Sequence, residues 1–148
     1  VLKLLNIVQP DRAYFGQKDA QQVRIIQQLV RDLDVQTEIV VVPTVREEDG
    51  LAISSRNRYL EPADRKRATV LVQALREVRQ RLVAGERDAR VLRAILTERV
   101  AATPGATLDY AEIVDADSLQ PIDQITGPAL AALAVKFGAT RLIDNIEL

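Results

Sequence analysis

The chain has 148 residues, 47% hydrophobic and 28% charged, a composition of globular rather than disordered proteins and long enough to bury a sizeable core. A net charge of -1 and an aromatic content of 3% leave no basic stripe and few stacking platforms, which argues against a nucleic-acid partner. With no cysteine and no histidine, the side chains that remain for catalysis are lysine, arginine, carboxylates and hydroxyls, alongside backbone amides.

Val1, Leu4, Leu5 and Val8 fall at helical spacing, yet nothing before Val1 caps such a helix, and methionine is absent throughout. The expectation is a cut chain. Gln9-Pro10-Asp11 ends that first helix, Arg12 to Phe15 reads as a short strand, and Gly16-Gln17-Lys18 is its exit turn. From Ala20 to Leu33 the positions Val23, Ile26, Leu29, Val30 and Leu33 predict an amphipathic helix, which Asp34 ends. Glu38 to Val42 is a β-branched run of the kind found in buried parallel strands. Strand, helix and strand in this order imply a parallel pair. Two strands do not make a doubly wound sheet, so residues 1–44 are expected to be the tail of a larger α/β domain.

Arg46 to Leu60, REEDGLAISSRNRYL, has no period and carries an Asp49-Gly50 turn, which predicts an ordered functional loop. After it, Ala68, Leu71, Leu75, Val78 and Leu82 predict one helix from Pro62 to Leu82, with Gly85 as its C-cap. Val91, Leu92, Ile95, Leu96 and Val100 predict a second, from Asp88 to Ala101. Strand patterns follow at Leu108 to Val114, Ala129 to Phe137 and Arg141 to Ile146. Two helices followed by three strands give an α+β domain with a small antiparallel sheet over residues 45–148. No apolar run approaches the roughly 20 residues needed to span a bilayer and no signal-peptide pattern opens the chain, so a soluble cytoplasmic protein without a membrane partner is expected.

Two stretches can carry chemistry. Phe15 to Gln22 turns from strand to helix, where Gly16 allows close backbone approach, Lys18 supplies a positive charge, and the free N–H groups of the helix attract phosphate. The competing reading is structural, with Asp19 and Gln22 forming a capping box. Ser54-Ser55-Arg56 offers two hydroxyls and a guanidinium for charge-assisted bonds to phosphate oxygens. No glycine run makes it a P-loop, and the structural alternative is a solvated loop whose serine or asparagine caps the next helix. Arg65 to Arg67 and Arg76 to Arg81 read as a solvated helix face.

On Phe15-Gly16-Gln17-Lys18-Asp19 with Gln21-Gln22, on Asp49 to Asn57, and on the ending Thr140 to Ile146, the whole chain resembles the C-terminal half of the pantothenate synthetases. The resemblance implies the end of a Rossmann-like nucleotidyltransferase domain (1–44) followed by a lid domain (45–148). It implies an ATP-dependent ligase that joins pantoate and β-alanine through a pantoyl adenylate, with Mg²⁺ accompanying the ATP and the parent enzyme a homodimer. Gly16, Gln17, Lys18 and Asp19 would line the nucleotide site, Gln22 would hold pantoate, and Val45 would meet adenine through its backbone. Ile53, Ser54, Ser55 and Arg56 would close on the phosphates, with Lys18, Ser54, Ser55 and Arg56 as the catalytic set and no protein-held metal. Ile53 stands where the family usually has methionine, Gln17 where glutamate is common and Ala20 where an aromatic is frequent. The family's front half, with its histidine motif, is not in this chain, so the fragment alone is expected to be inactive. A non-catalytic interaction module, or another ATP-dependent nucleotidyltransferase, are the rival readings; nucleotide-dependent stabilisation and the acceptor substrate separate them.

Overall fold

A computed structural model describes residues 1–148. The chain forms two compact units, Val1–Thr44 and Val45–Leu148.

In the first unit, helix α1 (Leu2–Val8) ends at Gln9, which adopts left-handed backbone angles. Strand β1 (Arg12–Gly16) follows, then helix α2 (Ala20–Asp32) and strand β2 (Glu38–Val42). β1 and β2 are parallel, in register from Arg12 against Glu38 to Gly16 against Val42. Asp34 stops α2 by taking φ 49°, while the Val35 N–H reaches back to the Val30 carbonyl at 3.0 Å. α1 departs from its expected stripe. Only Leu5 is buried, whereas Leu4, Ile7 and Val8 stand in the open. β2 departs too, since it reads as a covered parallel strand but leaves Val41 37% and Val42 39% exposed. The C-terminal end of α2 opens similarly, with Leu33 exposed.

In the second unit, helices α3 (Pro62–Arg67), α4 (Val70–Val83) and α5 (Ala89–Ala101) precede strands β3 (Ala106–Asp115), β4 (Ala129–Phe137) and β5 (Thr140–Glu147). The strands form an antiparallel sheet in the order β3-β4-β5. Leu71, Leu75 and Val78 of α4 and Leu92, Leu96 and Val100 of α5 pack with Ile113, Ala131, Leu133, Val135 and Leu142 into one apolar core. The helix expected from Pro62 to Leu82 is two. Thr69 turns its hydroxyl back to the Lys66 carbonyl (2.9 Å), and Leu71 N–H bonds Ala68 O three residues back. Such back-bonding competes with the regular ladder. Gly85 closes α4 as expected: at φ 105°, its N–H meets Leu82 O and the Glu86 N–H meets Arg81 O, each at 3.0 Å. On α5, Val91 lies outside the buried stripe at 46% exposure. No helix is long and apolar enough to cross a membrane.

Candidate functional site

The first unit gathers Gly16, Gln17, Lys18, Asp19 and Gln22 at the carboxyl end of β1. β1 ends at Gly16, Gln17–Asp19 make one 3-10 turn, and α2 begins at Ala20. A Cβ on Gly16 would meet nothing within 4 Å, so the backbone there is open to approach. Lys18 is half-buried beside it, and Asp19 and Gln22 are exposed. The capping box does not form. Asp19 sits at the N-cap with φ -95° and ψ 58° and makes no side-chain cap bond, because the 3-10 turn leads the backbone into α2 without the extended geometry a capping side chain needs. No acidic side chain occupies the first turn of α2 itself, and Asp19 at the N-cap is the acid beside its positive end.

The second unit gathers Val45, Ile53, Ser54, Ser55 and Arg56 on one short hairpin and the 3-10 turn after it. Arg46 bridges Ala52 across the hairpin, and Ile53 N–H bonds Val45 O at 2.9 Å. The tip needs glycine. Gly50 has φ 90°, and a Cβ there would stand 3.1 Å from Arg76 Nη2 and 3.3 Å from Val72 Cγ1. Leu51 and Ala52 are buried, which anchors the hairpin in the core, while Ile53 is 53% exposed. Ser54 then caps the 3-10 turn Ser55–Tyr59, its Oγ accepting from Arg56 N–H at 3.2 Å. The structural reading of this serine therefore holds alongside any functional one. Its hydroxyl proton is still available to donate.

Several arginines are fully employed around this turn. Arg46 makes a forked pair with Asp144, at 2.7 and 2.9 Å, and adds a 3.1 Å bond to Gly50 O. Asp144 alternates with Leu142 and Ile146 along β5, so it points to the same face as two core residues and its side chain is 1% exposed. A carboxylate buried there requires a partner, and the planar guanidinium supplies two bonds at once. Arg65 of α3 bridges Asp49 Oδ2 (2.6 Å) and Glu47 Oε2 (3.1 Å). Glu47 Oε1 in turn accepts from Asn57 Nδ2 at 3.0 Å, and the same Nδ2 reaches Ala52 O at 3.1 Å. The Asn57 hydrogen bond and then Arg65 hold the Glu47 carboxyl below its usual range; Arg65 and the Leu51 N–H do the same for Asp49. Arg56 differs. It is exposed, and its guanidinium makes no ion pair or hydrogen bond in the chain.

The sequence reading did not assign Glu47, Arg65 or Asp144 to this arrangement, offered Asn57 only as part of the motif or as a helix cap, and took Arg65 and Arg67 for a solvated helix face. Arg67 pairs with Asp64 at 3.1 Å, and Arg76 lies against Gly50. The one signal available was an acid at an inward position between Leu142 and Ile146. No three carboxylates stand together to hold a metal ion.

The fold and its two turns define a two-unit α/β and α+β protein that presents cationic and hydroxyl groups suited to an oxyanion ligand. The chain belongs to the Pantoate-beta-alanine ligase family, whose profile matches residues 1–147. It is 54% identical over 148 residues to the pantothenate synthetase of Pelotomaculum thermopropionicum, covering all of this chain and 52% of that one. The crystal structure of pantothenate synthetase from Thermus thermophilus superposes with a TM-score of 0.92 at 43% identity, covering 98% of this chain and 52% of that one. The pantoate-beta-alanine ligase of Francisella tularensis, complexed with beta-gamma ATP and beta-alanine, matches at TM-score 0.64 and 34% identity, over 98% of this chain and 46% of that one. The chain thus spans about half the length of the relatives it matches.

Proposed function

We propose that this chain supplies the phosphate-contacting turns of an ATP-dependent, AMP-forming pantoate–β-alanine ligase. Residues 1–44 complete a Rossmann-like nucleotide-binding domain, and residues 45–148 are its lid. The observation that carries this reading is Arg56, an exposed and unpaired guanidinium beside two serine hydroxyls, in a turn whose neighbouring Arg46 and Arg65 are spent on carboxylates. Membership of the family and the nucleotide complex of the Francisella relative support ATP as the ligand.

In the reaction, a pantoate carboxylate oxygen attacks the α-phosphorus of ATP, the bond to the β-phosphate breaks, and pyrophosphate leaves. The β-alanine amine then attacks the acyl carbon, AMP departs, and the nitrogen loses a proton. Lys18, the Ser54 and Ser55 hydroxyls and Arg56 meet the negative charge that moves toward pyrophosphate. Gly16, Gln17 and Asp19 line the nucleotide, Gln22 holds pantoate, Val45 meets adenine through its backbone, and Ile53 leads into the phosphate-contacting turn. Mg²⁺ would come with the ATP phosphates, since the chain's own carboxylates are not clustered to hold it. The parent enzyme is a cytoplasmic homodimer in this reading.

The test is single-turnover pyrophosphate release by the family-length enzyme that carries this chain. Lys18→Ala and Arg56→Ala should each slow it by about 10² to 10³, the usual effect of removing one preorganised charge donor, with pantoate binding little changed. Rates within about twofold of wild type would remove these residues from the phosphate site, on the same scale of effects. The 148-residue chain by itself should make no pantothenate, because a nucleotidyl transfer needs both reactants positioned together and the relatives are about twice as long.

A further inference from the structure

Resting on that reading, we propose that Arg65 and Glu47, acting through Asn57, are positioning residues that brace the Ser54-Ser55-Arg56 turn for its phosphate ligand. None of the three is needed to touch the substrate. The 3-10 turn Ser55–Tyr59 is short, and at its ends Asn57 N–H bonds Ser54 O at 3.0 Å and Leu60 N–H bonds Asn57 O at 3.2 Å. A single turn of this kind is marginal alone. Its side-chain hydrogen bonds to the hairpin run through Asn57, whose Nδ2 is shared between Ala52 O and Glu47 Oε1, and the turn also lies against β5. Glu47 would swing freely from an exposed hairpin strand, except that Arg65 grips its other oxygen and reaches Asp49 with its second Nη. The order of dependence is α3, then Arg65, then Glu47, then Asn57, then the turn.

The same bridge also occupies two acids of the hairpin. Glu47 and Asp49 each have an oxygen engaged by Arg65, and Asp144 is filled by Arg46. Those carboxylates are occupied, and Arg56 is exposed and unpaired, open to an anionic ligand. Loss of Arg65 frees two carboxylates and lets the turn drift. Misplacement by about 1 Å can cost on the order of 10²-fold in rate. The brace therefore acts by geometry.

The experiment compares Arg65→Ala, Arg65→Lys, Glu47→Ala, Arg56→Ala and the double variant Arg56→Ala/Arg65→Ala in the family-length enzyme carrying this chain. Pyrophosphate release at saturating pantoate is followed against ATP concentration, with amide exchange of residues 54–60 measured in parallel. Arg65→Ala and Glu47→Ala should lower kcat/KM for ATP by about 10- to 10²-fold, leave the KM for β-alanine unchanged, and speed exchange at Asn57 and Leu60. Arg65→Lys should fall between, because one ammonium cannot fork to both acids. Arg65→Ala should add little in the Arg56→Ala background, since the two share one route. Fully multiplicative losses, or wild-type exchange at Asn57 and Leu60 in Arg65→Ala, would overturn the brace. A fully active Arg56→Ala enzyme would instead sink the phosphate-site reading, and the positioning role with it.

Discussion

The parallel pair β1-β2 and the antiparallel sheet β3-β4-β5 handle apolar side chains in opposite ways. Tyr14, Val41 and Val42 of the first are 63%, 37% and 39% exposed, whereas Ala131, Leu133 and Val135 of the second are 0% exposed. The difference is one of cover. A parallel pair joined by a single crossover helix can shield only part of its surface, and parallel sheets occur almost only with helices on both faces. An antiparallel meander needs one covered face, and α4 and α5 provide it with Leu75, Val78, Leu92 and Leu96. The second unit carries its own core; the first buries little beyond Leu5, Val23 and Ile26.

The contrast is broken most directly by truncating one side chain in each unit. Leu133→Ala should cost about 2–5 kcal/mol, as for other fully buried leucines. Val42→Ala, on the uncovered strand, should stay within about 0.5 kcal/mol. Urea unfolding of the 148-residue chain, followed with a probe in each unit, reads both; equal losses would mean that the units do not differ in cover.

A smaller effect sharpens the account of the core face. Asp144→Ala leaves Arg46 facing an apolar row without its partner, a change that costs about 3–5 kcal/mol for a fully buried pair. Because Arg46 is 24% exposed, water reaches its guanidinium and the loss should lie at or below the lower end of that range. Unfolding midpoints of the single and Arg46→Ala/Asp144→Ala variants check this. The double variant should recover part of the loss, and a double variant worse than the sum would contradict it.

The smallest effect is a pH dependence in the second unit. Asp88 caps α5, and the side-chain bond from Arg90, followed by the Arg90 N–H, lowers its pKa from 3.8 to about 2. A carboxyl whose folded pKa is depressed stabilises the fold above its unfolded value, and that contribution fades as pH falls from 3.8 toward about 2. Asp88→Asn should therefore flatten the stability profile in that window and leave it unchanged in shape near neutrality. An unaltered acid limb would show that the cap is not coupled to folding.

How much was legible beforehand follows the same division. Every strand was visible in the sequence because β-branched and alternating runs declare themselves locally, and Gly85 and Asp34 mark helix ends by their backbone demands. The break at Ala68-Thr69 was not visible, since it depends on one hydroxyl choosing a carbonyl over water. Nor was the exposure of Val41 and Val42, because a β-branched run looks the same whether or not something covers it. At the candidate site, motif resemblance supplied the residues at the turns. The partners that hold them, Arg65 to Glu47 and Arg46 to Asp144, lie 18 and 98 positions apart and leave no periodic trace.

The central claim is that the Ser54-Ser55-Arg56 turn reads the distal phosphates of ATP. Amide hydrogen exchange over Gly50 to Asn57 in the family-length enzyme, compared between ATP and AMP, tests it with no substitution at all. A ligand shifts a turn only by contacts it makes better in one state, so ATP should protect these amides and AMP, lacking the β- and γ-phosphates, should protect them less. Equal protection by the two nucleotides would contradict the claim.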